Sequence, residues 1–345
     1  MSNNIDFTPD VIDAFDLNSI CEEGEIDISI ARELLRECAS FSRRPFRAST
    51  PGFRDFDTDE LGACRKSATF PAFSITGGAC ALDCAHCHAS ILKPLIPAGE
   101  PLAFERLATS MIEQRGMRGF LLSGGSNRRN EVPFDRYLPA IERIKSVHPD
   151  VEILVHTGLV SRERARRLAS SGVDVAMLDI IGARETIQEV YNLDRPVGDF
   201  EESLAALVDT GMKVVPHIVA GLHFGRLLGE TNALGIIARH RTESVIIVVL
   251  MHAFADAGRF GPVNVREIAG FFSLARGTLN DRLLMLGCAR PHGKARRQLD
   301  LYAMFAGFDG IAYPADGVLR LARLLGRPAD HSFSCCGGRS CPGVA

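Results

Sequence analysis

The sequence predicts an α/β fold, a (β/α)8 barrel of the TIM type that is either closed or incompletely closed. Short apolar runs of strand length alternate with amphipathic stretches of helix length from residue 69 onward, which is typical of parallel βαβ units. Eight such units over about 250 residues match the usual size of this barrel. Small and polar residues follow most of the strand ends, as expected where barrel loops converge on one face. An open doubly wound sheet is the alternative.

The individual elements are predicted from the change of hydrophobic period between strands and helices. The predicted strands are residues 72–76, 119–123, 152–156, 173–179, 213–219, 244–250, 283–287 and 310–313. The helices between them are predicted near residues 104–115, 137–148, 161–171, 201–211, 227–240, 264–278 and 296–306. Because a helix separates each strand from the next, neighbouring strands are predicted to be parallel.

Three segments are predicted along the 345-residue chain. Residues 1–66 are an N-terminal extension of helix and loop, residues 67–326 form the barrel, and residues 327–345 are a tail that carries cysteines. Within the extension, residues 28–41 have helical periodicity. Residues 43–59 are rich in Arg, Pro, Gly and Asp and are predicted to be an ordered loop or linker.

The composition argues against several classes of partner. The formal net charge is −3, which gives no indication of a general nucleic-acid or membrane surface. No apolar run approaches the roughly 20 residues that span a bilayer. The first residues also lack the basic and apolar regions of a secretory leader. We therefore expect a cytoplasmic protein that binds neither nucleic acid nor membrane.

Ten cysteines are the unusual feature of the composition. In a reducing compartment, disulfides are a poor explanation for them, and metal or redox chemistry is the better one. Cys80, Cys84 and Cys87 follow the first predicted strand with the spacing CxxxCxxC. Three thiolates at this spacing can hold a 4Fe-4S cluster and leave one iron open to a ligand. The alternatives are a zinc site completed by His86 or His88, and thiols that are simply part of the core.

This cysteine loop resembles that of the radical SAM superfamily, in which CxxxCxxC follows the first barrel strand. His86 stands where that family often has an aromatic residue. The resemblance implies that Cys80, Cys84 and Cys87 bind the cluster, and that the open iron chelates the amino and carboxylate groups of S-adenosylmethionine. It also implies an external electron donor, because the reduced cluster cleaves this cofactor to a radical that takes hydrogen from an unactivated carbon.

Two further loops resemble cofactor-binding segments of the same superfamily. A glycine pair after the second strand implies that the backbone approaches the methionine amine of the cofactor. The residues concerned are Ser123, Gly124, Gly125 and Ser126. The fifth strand resembles the family's GxIxGxxE segment, which packs against the adenine of the cofactor. The resemblance implies this role for residues 217–221, including Val219 and Gly221. The acidic residue that ends the family's motif is not evident in this sequence. For the glycine pair, the alternative is an ordinary strand-to-helix turn.

Polar residues end three other strands. The resemblance to biotin-synthase-like members implies that Asp179 contacts the ribose of the cofactor or the substrate. The alternative is that Asp179 caps a helix. His156 either faces the same site or is structural. After the seventh strand, Cys288 and Arg290 are candidate catalytic residues beside His292. The planar guanidinium of Arg290 suits a carboxylate or phosphate, while Cys288 is a candidate cluster ligand, hydrogen-atom donor or core residue.

The last residues of the sequence form a Gly-rich tail with three cysteines, Cys335, Cys336 and Cys341. Exposed thiols on a fraying tail would be open to oxidation. They are better explained as ligands of an auxiliary 4Fe-4S cluster, with Cys288 or an N-terminal cysteine as a further ligand. Such a tail is expected to fold back over the barrel mouth. A regulatory disulfide, a zinc site and a disordered tail are the alternatives.

The resemblance covers residues 69–316 and is closest to the biotin-synthase-like group. The segments SITGGACALDCAHCHASILKPLIPA and LGCARPHG resemble the two-protein lipoyl synthases of archaea and some bacteria. This implies sulfur insertion into an octanoyl chain on a carrier protein, with the auxiliary cluster as sulfur donor and a second radical SAM subunit as partner. The alternatives are another biotin-synthase-like or metallocofactor-maturing radical SAM enzyme, and a non-catalytic zinc or iron–sulfur carrier.

Overall fold

A computed structural model of the protein describes residues 25–38, 40–41, 44–64 and 68–338, together with positions 12, 16 and 17. Within these residues, eleven strands form one sheet and two form a separate hairpin. The strands are β1 (Phe46–Ser49), β2 (Phe56–Thr58), β3 (Gly62–Cys64), β4 (Ala72–Ser74), β5 (Ile96–Pro97), β6 (Gly119–Ser123), β7 (Glu152–His156), β8 (Val175–Asp179), β9 (Lys213–Ala220), β10 (Ser244–Val249), β11 (Leu283–Leu286), β12 (Gly310–Ala312) and β13 (Ala329–Ser332). The helices are α1 (Ile28–Cys38), α2 (Pro101–Arg115), α3 (Leu138–Val147), α4 (Arg162–Ser170), α5 (Arg184–Glu189), α6 (Gly198–Val208), α7 (Glu230–Ala238), α8 (Val265–Thr278), α9 (Lys294–Phe305) and α10 (Val318–Leu324).

The large sheet confirms the predicted parallel α/β fold. Its order is β13-β1-β12-β11-β10-β9-β8-β7-β6-β4-β5, and every pairing in it is parallel. The eight predicted strands are β4 and β6 to β12, and they are consecutive neighbours. Beyond them, β1 and β13 continue one edge and β5 continues the other. The sheet is therefore a curled, incompletely closed barrel, and all the strands carry their carboxyl ends to one edge.

Local sequence signals set several helix boundaries. Helix α2 begins with Pro101 in its first turn and ends at Gly116, whose φ of 66° is easily adopted without a side chain. Ser161 caps α4 by accepting a hydrogen bond from the Arg164 N–H, and Asn264 caps α8 through the Arg266 N–H. These caps satisfy backbone donors that a helix start leaves free.

The inner face of the sheet is apolar in its lower part. Alternate residues of a strand share one face, so Leu154, Val175, Met177 and Val215 point into the same lumen. They form one cluster of buried side chains together with Phe70, Ile246, Met285 and Cys335. The helices pack around the outside, where a second and larger cluster is buried. The lumen is therefore filled in its lower part, and its polar residues lie nearer the carboxyl edge.

The expectation that residues 43–59 are a loop or linker is wrong for part of this segment. Residues Phe46–Ser49 form β1, which pairs with β12 on one side and with β13 on the other. The strand has only four residues and includes Arg47, so it lacks a recognisable apolar run. Its partners are about 260 to 280 residues away in sequence, and tertiary pairing rather than local propensity determines it.

The tail takes a different path from the one expected. After β13, residues 333–338 enter the lumen instead of folding over the barrel mouth. A Cβ on Gly337 would lie 2.9 Å from the Met177 methyl, and one on Gly338 would lie 2.8 Å from a Glu152 carboxylate oxygen. Glu152 is the first residue of β7, so the tail descends through the lumen toward the amino ends of the strands.

Candidate functional site

The cysteine loop directly follows β4, at the carboxyl edge of the sheet. Cys84 and Cys87 are buried and Cys80 is half-buried. Neighbouring loops hold its backbone, because the Ala85 N–H donates to the Val190 carbonyl at 2.9 Å and the Ala85 carbonyl accepts from the Asp256 N–H at 2.9 Å. These bonds fix the loop before any ligand is bound.

The thiols of this loop are electrostatically linked. A hydrogen bond from the Cys84 thiol lowers the pKa of Cys87 to about 4, and His86 lowers it further, although burial acts in the opposite direction. The same hydrogen bond and burial raise the pKa of Cys84. The loop therefore stabilises one thiolate strongly. A thiolate is the form of cysteine that binds metals.

One of the two histidines that could complete a zinc site at this loop is engaged with carboxylates. Among the described residues, the only group of three histidine, cysteine or acidic side chains with ligand atoms all within 4.8 Å of one another lies elsewhere. A tetrahedral zinc site would hold thiolate sulfurs about 3.8 Å apart. His88 is also unsuited to complete such a site, because its two ring nitrogens lie 2.8 Å from Asp83 and 2.6 Å from Asp256. His86 stacks on Tyr191, with ring centroids 5.2 Å apart.

The predicted SGGS segment packs directly against the cysteine loop. A Cβ on Gly125 would lie 2.0 Å from the Ala79 carbonyl oxygen and 2.6 Å from the Cys80 Cα. The Gly125 N–H donates to the Thr76 hydroxyl at 2.7 Å, and the Ser126 carbonyl accepts from the Ala81 N–H at 2.8 Å. The absence of a side chain at Gly125 thus permits close approach of the cysteine loop. Gly124, whose Cβ would lie 2.7 Å from Ile75, packs beside it.

A polar group lies in the lumen at the ends of three neighbouring strands. His156 and Asp179 are the last residues of β7 and β8, and His217 pairs in register with Asp179. The His156 Nε2 atom lies 3.8 Å from Asp179 Oδ1. Burial lowers the pKa of His217 to about 4, so its ring is neutral at ordinary pH. The Tyr191 hydroxyl lies 3.5 Å from Asp179 Oδ2 and connects this group to the cysteine loop.

The segment after β9 contains an acidic residue that sequence analysis missed. Glu230, nine residues after Gly221, accepts from the Gly221 N–H at 2.8 Å and from the Leu228 N–H at 2.7 Å. Glu230 lines a small cavity together with Gly182, in the loop after β8, and Val219 of β9. Glu230 was not recognised because it begins α7 instead of closing the expected motif. Its position as the first residue of a helix was the available signal.

The second cysteine group joins the end of β11 to the tail. Burial raises the pKa of Cys288, and so does the charge of Cys335. A hydrogen bond from the Cys336 thiol lowers the pKa of Cys335, while the same bond and burial raise that of Cys336. The structure thus brings these three residues into electrostatic contact. Cys341 lies outside the described residues, as does Cys21.

Cationic side chains adjoin the second cysteine group. The Arg54 guanidinium stacks on the Tyr313 ring at 4.1 Å, and its charge lowers the pKa of Cys288 against the effect of burial. The Nε atoms of Arg54 and Arg296 are buried without a hydrogen-bond partner among the described residues. An anionic group beside Cys288 would be stabilised by these charges. His292 is exposed on the following loop.

Arg290 is buried and fully engaged with protein groups. It forms an ion pair with Asp300 through Nε and Nη2, at 2.6 and 2.9 Å, and donates to the carbonyls of Gly287, Ala312 and Tyr313. All five of its N–H donors have acceptors. Arg290 therefore has no free N–H donor for the substrate carboxylate or phosphate that it was expected to bind. Its contacts tie the Cys288 loop to the end of β12.

Comparisons with known proteins show which proteins the chain resembles. Residues 74–225 match the sequence profile of the Radical SAM superfamily. The chain is 23% identical over 225 residues to a biotin synthase of Agrobacterium fabrum, with 64% of this chain and 61% of that protein covered. A biotin synthase of Methylococcus capsulatus is 25% identical over 243 residues, with 66% and 70% covered. The chain therefore spans about three fifths of the length of the first of these relatives.

Solved structures with the same fold include two proteins that cover most of this chain. A methylornithine synthase superposes with a TM-score of 0.55 and 12% identity, covering 93% of this chain and 94% of its own. The FeFe-hydrogenase maturase HydG from Carboxydothermus hydrogenoformans gives 0.57 and 16%, covering 95% and 76%. At these identities the likeness concerns the fold alone. Among the described helices, none has the length and apolar character needed to cross a membrane.

Proposed function

We propose that the chain is a radical SAM enzyme and, within that superfamily, a sulfur-inserting enzyme of the lipoyl synthase type. The observation that carries this proposal is the second cysteine group, because the tail delivers Cys335 and Cys336 into the barrel lumen near Cys288. An enzyme that only cleaves S-adenosylmethionine needs no such group. The substrate proposed is an octanoyl chain on a carrier protein.

The residues of the first site fit a 4Fe-4S cluster. Three partly or fully buried thiols, one strongly stabilised as a thiolate, occupy a loop held by neighbouring backbone. Cys80, Cys84 and Cys87 would hold three irons of the cluster and leave the fourth to S-adenosylmethionine. When bound and reduced by an external donor, the cluster supplies the electron that cleaves the cofactor's carbon–sulfur bond.

The loops around the first site are proposed to orient the cofactor. Ser123, Gly124, Gly125 and Ser126 lie against the cysteine loop and would meet the methionine part of the cofactor. Asp179 would accept from a ribose hydroxyl. Val219 and Glu230 line a small cavity, and the Glu230 carboxylate also accepts from the Gly221 N–H, so these residues would meet the adenine.

An auxiliary 4Fe-4S cluster is proposed at Cys288, Cys335 and Cys336, with Cys341 as a further ligand. Cys335 is buried and Cys288 and Cys336 are half-buried, and the nearby Arg54 would offset the negative charge of bound thiolates. The Arg290–Asp300 pair has a positioning role, since it fixes the loop that carries Cys288. Cys80, Cys84 and Cys87 follow β4 and Cys288 follows β11 at the same edge of the sheet, while Cys335 and Cys336 lie at the apolar cluster of the lumen. A substrate that enters the lumen from this edge would approach both groups.

Mass spectrometry of an octanoylated carrier domain tests the proposal. Reconstituted enzyme, S-adenosylmethionine and a reductant are expected to give deoxyadenosine and a carrier that has gained sulfur. The double variant Cys335→Ala/Cys336→Ala is expected to form deoxyadenosine but no sulfur-containing product. Cys38→Ala is the matched control, because Cys38 is equally buried on α1 outside the lumen. Its activity should equal that of the parent.

Three outcomes would contradict parts of the proposal. Deoxyadenosine formation with an unchanged carrier, in the presence of each candidate partner subunit, would contradict the octanoyl substrate and favour another biotin-synthase-like or cofactor-maturing reaction. Sulfur transfer at the normal rate by the double variant would remove the tail from the reaction. A protein that binds iron or zinc but forms no deoxyadenosine would be a carrier instead of an enzyme.

A further inference from the structure

Along three neighbouring strands, the side chains that face the lumen change from apolar to polar between one inward-facing residue and the next. Leu154, Met177 and Val215 belong to the buried apolar cluster. Two residues further along each strand, on the same face, stand His156, Asp179 and His217. His217 is 8% exposed, and the side chains of the other two are 28% exposed. The three polar residues therefore form one layer directly above the apolar filling.

These three side chains converge without bonding to one another. One ligand atom from each lies within 4.8 Å of the others. The His156 Nε2 to Asp179 Oδ1 separation of 3.8 Å exceeds that of a hydrogen bond. The two imidazole rings are tilted by 62°, with centroids 5.4 Å apart, so they do not stack.

The available atoms of this layer are acceptors. The His217 Nδ1 atom lies 3.1 Å from the Val215 carbonyl, which can only accept, so Nδ1 carries the hydrogen and the opposite nitrogen presents a lone pair. An ionised carboxylate also only accepts. A backbone carbonyl that fixes the tautomer of a histidine in this way is a common support of a metal ligand. A cation, not an anion, is complementary to such a set.

We infer that His156, Asp179 and His217 bind a divalent transition-metal ion in the barrel lumen, separate from both cysteine groups. Two imidazoles and one carboxylate are ligands that zinc and ferrous iron accept, and three protein ligands leave positions open for water or for an oxygen atom of a substrate. Tetrahedral ligands with bonds of about 2.1 Å lie about 3.4 Å apart. Small side-chain rotations from the present separations reach that geometry.

This site does not depend on the proposed sulfur chemistry. Asp179 would use Oδ1 for the ion, while Oδ2, near the Tyr191 hydroxyl, stays available to a cofactor hydroxyl. Tyr191 also stacks on His86 of the cysteine loop, so the ion would lie next to the reaction cavity. An ion there would orient a substrate through its open coordination position.

Zinc uptake by the reconstituted holoprotein tests the inference. After cluster reconstitution and removal of free metal, the protein is equilibrated with Zn²⁺, desalted and measured for zinc, iron and sulfide. We expect one zinc per chain in the parent, with X-ray absorption showing only nitrogen or oxygen neighbours at about 2.0–2.1 Å. In His217→Ala and Asp179→Asn, zinc is expected to fall to background with iron and sulfide unchanged.

His240→Ala is the matched control, because His240 also faces a carboxylate, that of Glu201 at 3.2 Å, but on the outer helices. It should retain the zinc of the parent. Failure of the parent to take up zinc would overturn the inference. So would undiminished zinc in His217→Ala, or sulfur neighbours at about 2.3 Å, which would indicate binding at cysteines.

Discussion

At Gly125, the cysteine loop requires a residue with no side chain. Sequence analysis associated the glycine pair with approach of the cofactor, and the structure adds a second constraint from within the protein. The Ala79 carbonyl and the Cys80 Cα occupy the space of a Cβ at this position. Because both atoms are backbone, no side-chain rotation relieves the contact. A substitution here therefore acts first on the cysteine loop and only then on the cofactor.

Gly125→Ala is expected to reduce iron bound at the first site severalfold, because the added methyl must displace Cys80. Iron and sulfide content after reconstitution of the Cys335→Ala/Cys336→Ala background measures the first site alone. Gly78→Ala is the control from the same loop, since a Cβ there meets no atom within 4 Å. Equal iron content in the two variants would show that the cysteine loop can shift to accommodate the methyl group without losing iron.

Arg290→Met is expected to destabilise the fold by about 3–5 kcal/mol, because it leaves the buried Asp300 carboxylate without its partner. Urea unfolding of the cluster-free protein measures this change. Arg143→Met is the comparison, since the Arg143–Glu105 pair is at the surface, and it should change stability little. A small effect at Arg290 would mean that the end of β12 does not depend on this ion pair.

Among the elements, the central strands were predictable and the edges of the sheet were not. Strands β6 to β11 carry apolar runs long enough to be recognised, and their alternation with helices determined the fold class. Strand β1 has four residues and pairs with strands far away in sequence. Helix α5 has six residues and α10 has seven, too short for a clear helical period.

The site was predictable only in part, for related reasons. The CxxxCxxC spacing is local, so the first cysteine group could be recognised from the sequence. The electrostatic interaction between Cys288 and the tail cysteines depends on β13 and on the path of the chain through the lumen. The His156, Asp179 and His217 group depends on the register of three strands, which the sequence does not specify. Glu230 could not be recognised from the sequence because the Gly221 N–H, from which it accepts a hydrogen bond, lies nine residues away across a loop.

Deletion of residues 333–345 is expected to lower the melting temperature and to increase binding of a hydrophobic dye. The tail packs Cys335 into the apolar lumen cluster, and its loss would open that cluster to water. Circular dichroism and dye fluorescence measure the two effects, with Cys335→Ala as the variant that keeps the tail. An unchanged melting temperature would indicate that the lumen cluster does not need the tail.

In the whole molecule, one curled sheet carries two separate cysteine groups. The first follows β4, and the second joins the end of β11 to the tail. Between them, around the lumen, lie the strands that carry His156, Asp179 and His217. This arrangement separates the proposed site for cleaving S-adenosylmethionine from the proposed site for delivering sulfur. Each site should therefore keep its cluster when the cysteines of the other site are replaced, because different elements of the fold carry the two sets of cysteines.

Comparison of the parent protein with the triple variant Cys80→Ala/Cys84→Ala/Cys87→Ala tests this account most directly. Both are reconstituted with iron and sulfide under anaerobic conditions, and deoxyadenosine formation and cluster content are measured together. We expect the parent to form deoxyadenosine and the triple variant to form none, while the variant retains the iron and sulfide of a second 4Fe-4S cluster. Deoxyadenosine formation by the triple variant, or its complete loss of iron, would contradict the account.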